Sequence, residues 1–422
     1  MRIIFSFSML LLSITIFAQN KTLAIQFVDT LTSEHYAGRG YVNQGHKKSA
    51  DFIAKKFKEY GLVGFNSDYK QEFLIDVNTF GGKADILIDK KLLFAGVDFI
   101  VAPNCPEIKG KFNLVWLNPK IVGNQKKMIK FMETDFKNAF LIIDKTGITD
   151  TTQINFLDEM TKNPFNAKGI VIVSNKKFTW GMSQTQSVYP VIFVNKSLVT
   201  YKNKKIELNI NAKLKKDELT QNVLGYIEGS EQPDSFIVFS AHYDHLGMLG
   251  PEAIFTGAND NASGTAMLLD LARHYSLPEN KPKVSILFIA FGAEEVGLLG
   301  SKYYVNKPYF PLRKIKLQIN TDIMGTGDEG IKIVNGDTHL DIYNLFRKIN
   351  EEKGYLTKIG KRGKAANSDH HPFDEKGVKA IFIYTLGGSK AYHDVYDTAD
   401  NLTLSKYNEV FKLITDFISE YK

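Results

Sequence analysis

The stretch Val284-Ser285-Ile286-Leu287-Phe288-Ile289-Ala290-Phe291-Gly292-Ala293-Glu294-Glu295 decides the fold. Its apolar run, Val284 to Phe291, reads as a buried strand and ends just before two adjacent carboxylates. The same arrangement recurs on either side. Phe236-Ile237-Val238-Phe239 precedes His242-Tyr243-Asp244, Ile315 to Ile319 leads into Asp322, and Ala380-Ile381-Phe382-Ile383-Tyr384 feeds a loop carrying His393. In open α/β sheets the ligand crevice lies beyond the carboxyl ends of the strands, so polar groups far apart in the chain can converge there.

The connecting segments predict helices. Asn261 to His274 places Ala262, Ala266, Leu268, Leu269, Leu271 and Ala272 on an apolar helix opened by Gly257-Ala258-Asn259-Asp260-Asn261, with Asp260 at its entrance. Val296 to Val305 and a segment from His371 toward Lys376 show similar spacing, and Lys47 to Tyr60 carries Ala50, Phe52, Ile53 and Phe57 on one side. Alternating strand, loop and helix predicts an α/β fold: three layers, with a central mixed, mostly parallel sheet between helices. From about Val77 to Leu214 the texture changes to short β-rich runs, Phe140-Leu141-Ile142-Ile143, Ile170-Val171-Ile172-Val173 and Val191-Ile192-Phe193-Val194, which predicts a smaller β-rich inserted domain. A chain of 422 residues with 44% hydrophobic content exceeds one average domain.

A divalent cation that activates water needs imidazole and carboxylate ligands with one position left open. The chain has a single cysteine, Cys105, so a thiolate-rich zinc site is excluded by count. Taken singly, each candidate has an ordinary explanation: a hydrogen-bonded surface pair for His242 and Asp244, a helix cap for Asp260, a solvated turn for Glu294-Glu295, and a strand-end or loop residue for Asp322 and His393. Their occurrence in order, each at a strand end or helix start, points instead to a metal-dependent hydrolase.

The stretches Ser240 to Gly247, Gly257 to Gly264, Ala293 to Ser301, Asn320-Thr321-Asp322 and Tyr392-His393 resemble the co-catalytic zinc exopeptidases, a family that includes bacterial leucyl aminopeptidases and glutamate carboxypeptidase. The resemblance implies two zinc ions, one bound by His242 and Asp322, the second by Glu295 and His393, with Asp260 bridging; manganese or cobalt are alternative occupants. It implies Glu294 as general base, Asp244 as the carboxylate orienting the His242 ring, Tyr392 as a contact for the oxyanion, and a cis bond after Asp260. Two departures stand out. Lys361 to Asn367 lacks a tyrosine found in some smaller aminopeptidases, and His393-Asp394-Val395-Tyr396 stands where many have Thr-Pro after the histidine, nearer the carboxypeptidase branch. His35, His46, His245, His274, His339, His370 and His371 read as surface or core histidines.

Residues 1–18, with Arg2, an apolar stretch and Ala18-Gln19-Asn20, predict a signal peptide and hence a periplasmic or secreted protein. Residues 19–76 read as the leading segment of the catalytic domain, 77–214 as an insert resembling a protease-associated domain, and 215–422 as the remaining catalytic domain. The net charge of +7 is spread over lysines, and Arg39, Arg273, Arg313, Arg347 and Arg362 form no basic helix, which speaks against nucleic acid. No later run reaches membrane-spanning length. The expected partner is a peptide substrate, with no stable membrane insertion; oligomeric state is left open. The favoured function is a secreted metal-dependent aminopeptidase; the alternatives are a carboxypeptidase, a non-enzymatic binding module on the same fold, and a glutaminyl cyclase.

Overall fold

The computed structural model describes residues 15–421, with side chains from residue 21 onward. The expected signal peptide falls largely outside the described residues; the helix Thr15–Thr32 turns Ala24, Phe27, Val28 and Leu31 into the core. No helix among the described residues is long and apolar enough to cross a membrane.

The apolar run ahead of Glu294 and Glu295 forms the strand Val284–Phe291. It lies inside an eight-stranded sheet, paired in parallel with Gln232–His242 and antiparallel with Lys213–Ile227. Beyond Gln232–His242 come Ile315–Thr321 and Ala380–Thr385, again parallel. One edge is closed by Lys70–Thr79, the other by Ile331–Val334 and Ile359–Arg362.

Strand alternation explains the layers. Ile286, Phe288 and Ala290 point into one core with Phe239, Ala241, Leu317 and Ile319, covered by the helices Thr15–Thr32, Gly45–Glu59, Gly264–Ser276, Leu340–Lys353 and Tyr407–Glu420. Leu287, Ile289 and Phe291 point the other way, against Tyr304, Val305 and Phe373 from Leu299–Asn306 and His370–Glu375. The sheet is therefore mixed, with four adjacent parallel strands at its centre and helices on both faces.

Two expected helices start later than the sequence spacing suggests. The helix expected from Asn261 begins at Gly264, because Ala258–Ser263 forms a wide turn in which Asp260 and Asn261 leave helical geometry and the Asp260–Asn261 peptide is cis. The helix expected from Val296 begins at Leu299. Residues 293–298 form a turn instead, with the Glu294 carbonyl accepting both Gly297 and Leu298 N–H.

The second unit is built on another eight-stranded sheet, drawn from strands between Ala84 and Ile210. The borders expected at 77 and 214 fall inside Lys70–Thr79 and Lys213–Ile227, which pair with each other in the first sheet. The runs at 140, 170 and 191 are strands Ala139–Asp144, Gly169–Ser174 and Val191–Asn195. The region is not purely β: Gln125–Met132 and Thr151–Met160 are helices, capped by the Asn124 and Asp150 side chains. Leu246 and, from the small antiparallel pair Gly247–Leu249 and Ala253–Phe255 that follows His242, Leu249, Ala253 and Phe255 pack into this second core, so one continuous apolar cluster spans the two units.

Phe288 is fully buried and lies near Phe239 and Phe57. Phe288→Ala is expected to cost about 3–5 kcal/mol through lost burial and the residual cavity, read from the shift of the chemical denaturation curve.

Candidate metal centre

His242 is the last residue of Gln232–His242, and Asp322 follows directly on Ile315–Thr321. Glu294 and Glu295 occupy the turn beyond Val284–Phe291, and His393 the loop beyond Ala380–Thr385. Asp260 sits in the wide turn ahead of Gly264–Ser276. The four central parallel strands thus deliver their polar ends to one place. His242, Asp260, Glu294, Glu295, Asp322 and His393 line one cavity of about 100 Å³ with Ile323, Asn367, Phe382 and Tyr392. A wider cleft of about 380 Å³, lined by Asn66, Gln71 and Tyr309 among others, contains no histidine, so chemistry rather than size marks the site.

The donors fall into two sets that share Asp260. His242 Nε2 lies 3.3 Å from Asp260 Oδ1 and 3.5 Å from Asp322 Oδ1. On the other side, His393 Nε2 lies 3.0 Å from Asp260 Oδ2 and 3.3 Å from Glu295 Oε2. Ligands about 2.0–2.1 Å from a tetrahedral zinc stand about 3.3 Å from one another, which is this spacing. Asp322 Oδ1 is buried and receives no hydrogen bond. Both imidazoles reach carbonyls through Nδ1, His242 to Asp244 O at 3.2 Å and His393 to Trp180 O at 2.9 Å. With Nδ1 donating in this way, loss of the Nε2 proton would leave both Nε2 lone pairs facing carboxylates, an arrangement suited to a bound cation. The residues present fit a divalent metal.

The surrounding layer differs from expectation at Asp244. Its carboxylate lies 3.9 Å from the His242 ring, which is held by the Asp244 main-chain carbonyl instead. The carboxylate accepts the N–H groups of Glu294 (3.1 Å) and Glu295 (3.3 Å), so it fixes the acidic turn. Ser368 donates to Asp322 Oδ2 at 3.0 Å, and Asp397 accepts the N–H groups of Asn259 and Asp260 at 2.9 and 3.0 Å. His245, read as a core or surface histidine, belongs to the site: its Nδ1 is 2.7 Å from Glu295 Oε1. Its position three residues after His242 was the available signal. Gly257 takes φ +57°, and a Cβ there would strike the Asp260 carbonyl and the His245 ring.

Arg39 carried no site reading in the sequence. It is fully buried and donates only to main-chain carbonyls: Tyr243 (2.8 Å), Leu31 (3.2 Å), Thr256 (2.5 Å), Gly257 (2.7 Å) and Asp260 (3.4 Å). One guanidinium thereby ties the leading segment to the loops that carry His242 and Asp260.

Residues 222–418 match the sequence profile of peptidase family M28. This part of the chain is an M28 peptidase domain. Aminopeptidase YwaD of Bacillus subtilis is 29% identical over 271 residues, 60% of this chain and 57% of that protein. A glutamate carboxypeptidase 2 homolog of Caenorhabditis elegans is 30% identical over 252 residues, 52% of this chain and 30% of that protein. These alignments span less than two thirds of either relative. The structure of a zinc aminopeptidase from Bacillus subtilis superposes over 94% of both chains with a TM-score of 0.68 at 22% identity, a likeness of fold.

Electrostatics in the M28 domain follow from crowding. Burial, then the charges of Glu295, Asp369 and Asp322, raises the Glu294 carboxyl well above the ordinary range against the pull of His242. Burial likewise raises Asp244 and Asp369 to about 7. For His393 burial acts downward, but Glu295 and Asp260 outweigh it and bring the imidazole up to about 9. A histidine raised in the folded state stabilises that state below its unfolded value near 6.5, and the contribution disappears as pH rises through the folded value. The metal-free protein is therefore expected to lose stability between about pH 6.5 and about 9, and His393→Asn to flatten that slope. Denaturant titrations of the chelated protein check this; stability rising across that window would contradict it.

Proposed function

We propose that this protein is a zinc-dependent aminopeptidase that removes N-terminal residues from peptides. In this reading His242 and Asp322 would hold one zinc ion and Glu295 and His393 the other, with Asp260 serving both; manganese or cobalt would use the same ligands. The divided orientation of Asp260, each oxygen facing one imidazole, supports two ions. The aminopeptidase named among the relatives supports the activity.

The observation that carries the polarity is the cavity lining. It contains four carboxylates, Asp260, Glu294, Glu295 and Asp322, and no lysine or arginine. Such a wall receives the ammonium group of a free N-terminus and offers no clamp for a substrate carboxylate. This disfavours the carboxypeptidase reading. A binding module is disfavoured because no ligand position is replaced, and a glutaminyl cyclase because the His242 and Asp322 pair is intact.

Zinc bound here supplies a water acidified toward neutrality and a Lewis acid for the scissile carbonyl. Glu294 takes the proton from the attacking water and passes it to the departing amine. Its raised pKa suits both halves of that transfer. Tyr392, stacked on His393 with centroids 4.0 Å apart, stands at the mouth with its phenol kept protonated first by burial and then by the site carboxylates. It can donate to the oxyanion that develops on the substrate. Export through the apolar leader at residues 1–18 belongs to the same proposal.

Incubation with a free peptide and its N-acetylated twin tests the polarity. Release of the first residue from the free form alone is expected, and loss of the last residue from both would establish a carboxypeptidase. Glu294→Gln is expected to keep its metal and lose about 10²- to 10⁴-fold in kcat. Near-normal turnover in that variant would remove Glu294 from the role.

A further inference from the structure

The segment 175–188 leaves the second unit's strand Gly169–Ser174 and crosses to the M28 domain before returning at Val191–Asn195. It is anchored to its own unit by the Trp180 indole, which donates to Val101 O at 2.9 Å, and by Ser187 N–H to Asn104 O at 2.7 Å. On the other side it touches both loops that carry the Glu295 and His393 donors.

At His393 the contacts are paired. Trp180 N–H donates to His393 O at 2.8 Å, and the Trp180 carbonyl accepts from the His393 ring at 2.9 Å. His393 takes φ +52°, a left-handed conformation uncommon for a side chain of this size, so its backbone has to be held by its surroundings. Next to it, the buried Asp394 pairs with Lys177, whose ammonium also donates to Lys390 O at 2.6 Å. Beside Glu295, Gln184 Nε2 donates to Val296 O at 2.9 Å. Among the described residues the segment makes no such contact with the His242 and Asp322 donors; the loop after His242 is held instead by Arg39 of the leading segment, through Tyr243 O at 2.8 Å. The groups that touch the two residues themselves, Asp244 O, Thr265 and Ser368, lie in the M28 domain.

We propose that segment 175–188 is a strap through which the second unit sets the geometry of one metal subsite, that of Glu295 and His393, and leaves the His242 and Asp322 subsite alone. Lys177 and Gln184 are positioning residues in this scheme. Neither lines the cavity, and each acts on a ligand-bearing loop from outside. The second unit thus supplies part of the metal centre's support without contributing a ligand.

The inference rests on the two-ion reading. Zinc titration of the metal-free full-length protein against a chromophoric chelator tests it without reference to turnover. The wild type is expected to show two binding constants. Lys177→Ala is expected to weaken one of them about 10-fold or more, the usual effect of removing an outer support, and to leave the other unchanged. Lys177→Arg should restore it, and Gln184→Ala, at the other end of the strap, should weaken the same constant. Added to His393→Ala, Lys177→Ala should change nothing further, because both act on one subsite. Two wild-type constants that Lys177→Ala leaves alone, or weakens equally, overturn the strap. A wild type that takes up a single zinc ion overturns the two-ion reading itself, and with it the strap's selectivity for one subsite.

Discussion

Like charge confined in a small buried space is the constraint around which this molecule is arranged. Asp260, Glu294, Glu295 and Asp322 line a single cavity, with Asp244, Asp369 and Asp397 close behind. Two unit charges about 4 Å apart interact by about 4 kcal/mol at an effective dielectric near 20, a large fraction of the roughly 5–15 kcal/mol that holds a domain together. The protein meets this with protonation, main-chain N–H groups and one buried cation. The imidazoles of His242 and His393 are pushed up, Asp244 and Asp397 each accept two backbone N–H groups, and Arg39 stands behind the Asp260 turn. A divalent cation bound between these groups would take over the role of the imidazole protons, with Nε2 and the carboxylate oxygens as its ligands.

That arrangement has to be rigid, and its rigidity comes from outside the ligand set. Arg39 reaches five carbonyls on three segments. Burial lowers its pKa to about 10, with Asp397 and Asp260 pulling upward, so it remains a cation at neutral pH. Because all of its donors go to main chain, it fixes loop positions rather than neutralising one carboxylate by direct contact. Trp180 does the corresponding work for His393 from the second unit. The core shared through Leu246, Leu249, Ala253 and Phe255 holds the two units against each other so that such contacts persist.

The parts of the fold legible in the sequence were those with a strong local signal. Val284–Phe291 starts and ends where its apolar run does, and Ile315–Thr321 and Ala380–Thr385 extend their predicted runs by only a residue or two. Helix starts were less legible near the site. Periodicity extends backward over Asn261 to Ser263 and over Val296 to Leu298, yet the backbone there is turned aside to present Asp260 and the Glu294-Glu295 pair. In both cases the demand of the cavity overrides local propensity.

The residue types by themselves determined the chemistry on offer: histidine and carboxylate donors at strand ends, and a single cysteine that removes any thiolate alternative. They did so because each strand end carries its polar group whatever the rest of the chain does. Tertiary structure alone decided the supports. Arg39, His245, Asp397 and Trp180 act on partners brought close by sheet pairing and by the docking of the second unit, and the Asp244 carboxylate holds a distant turn rather than its neighbour's ring. No local pattern marks such residues, because their partners become neighbours only once the chain has folded.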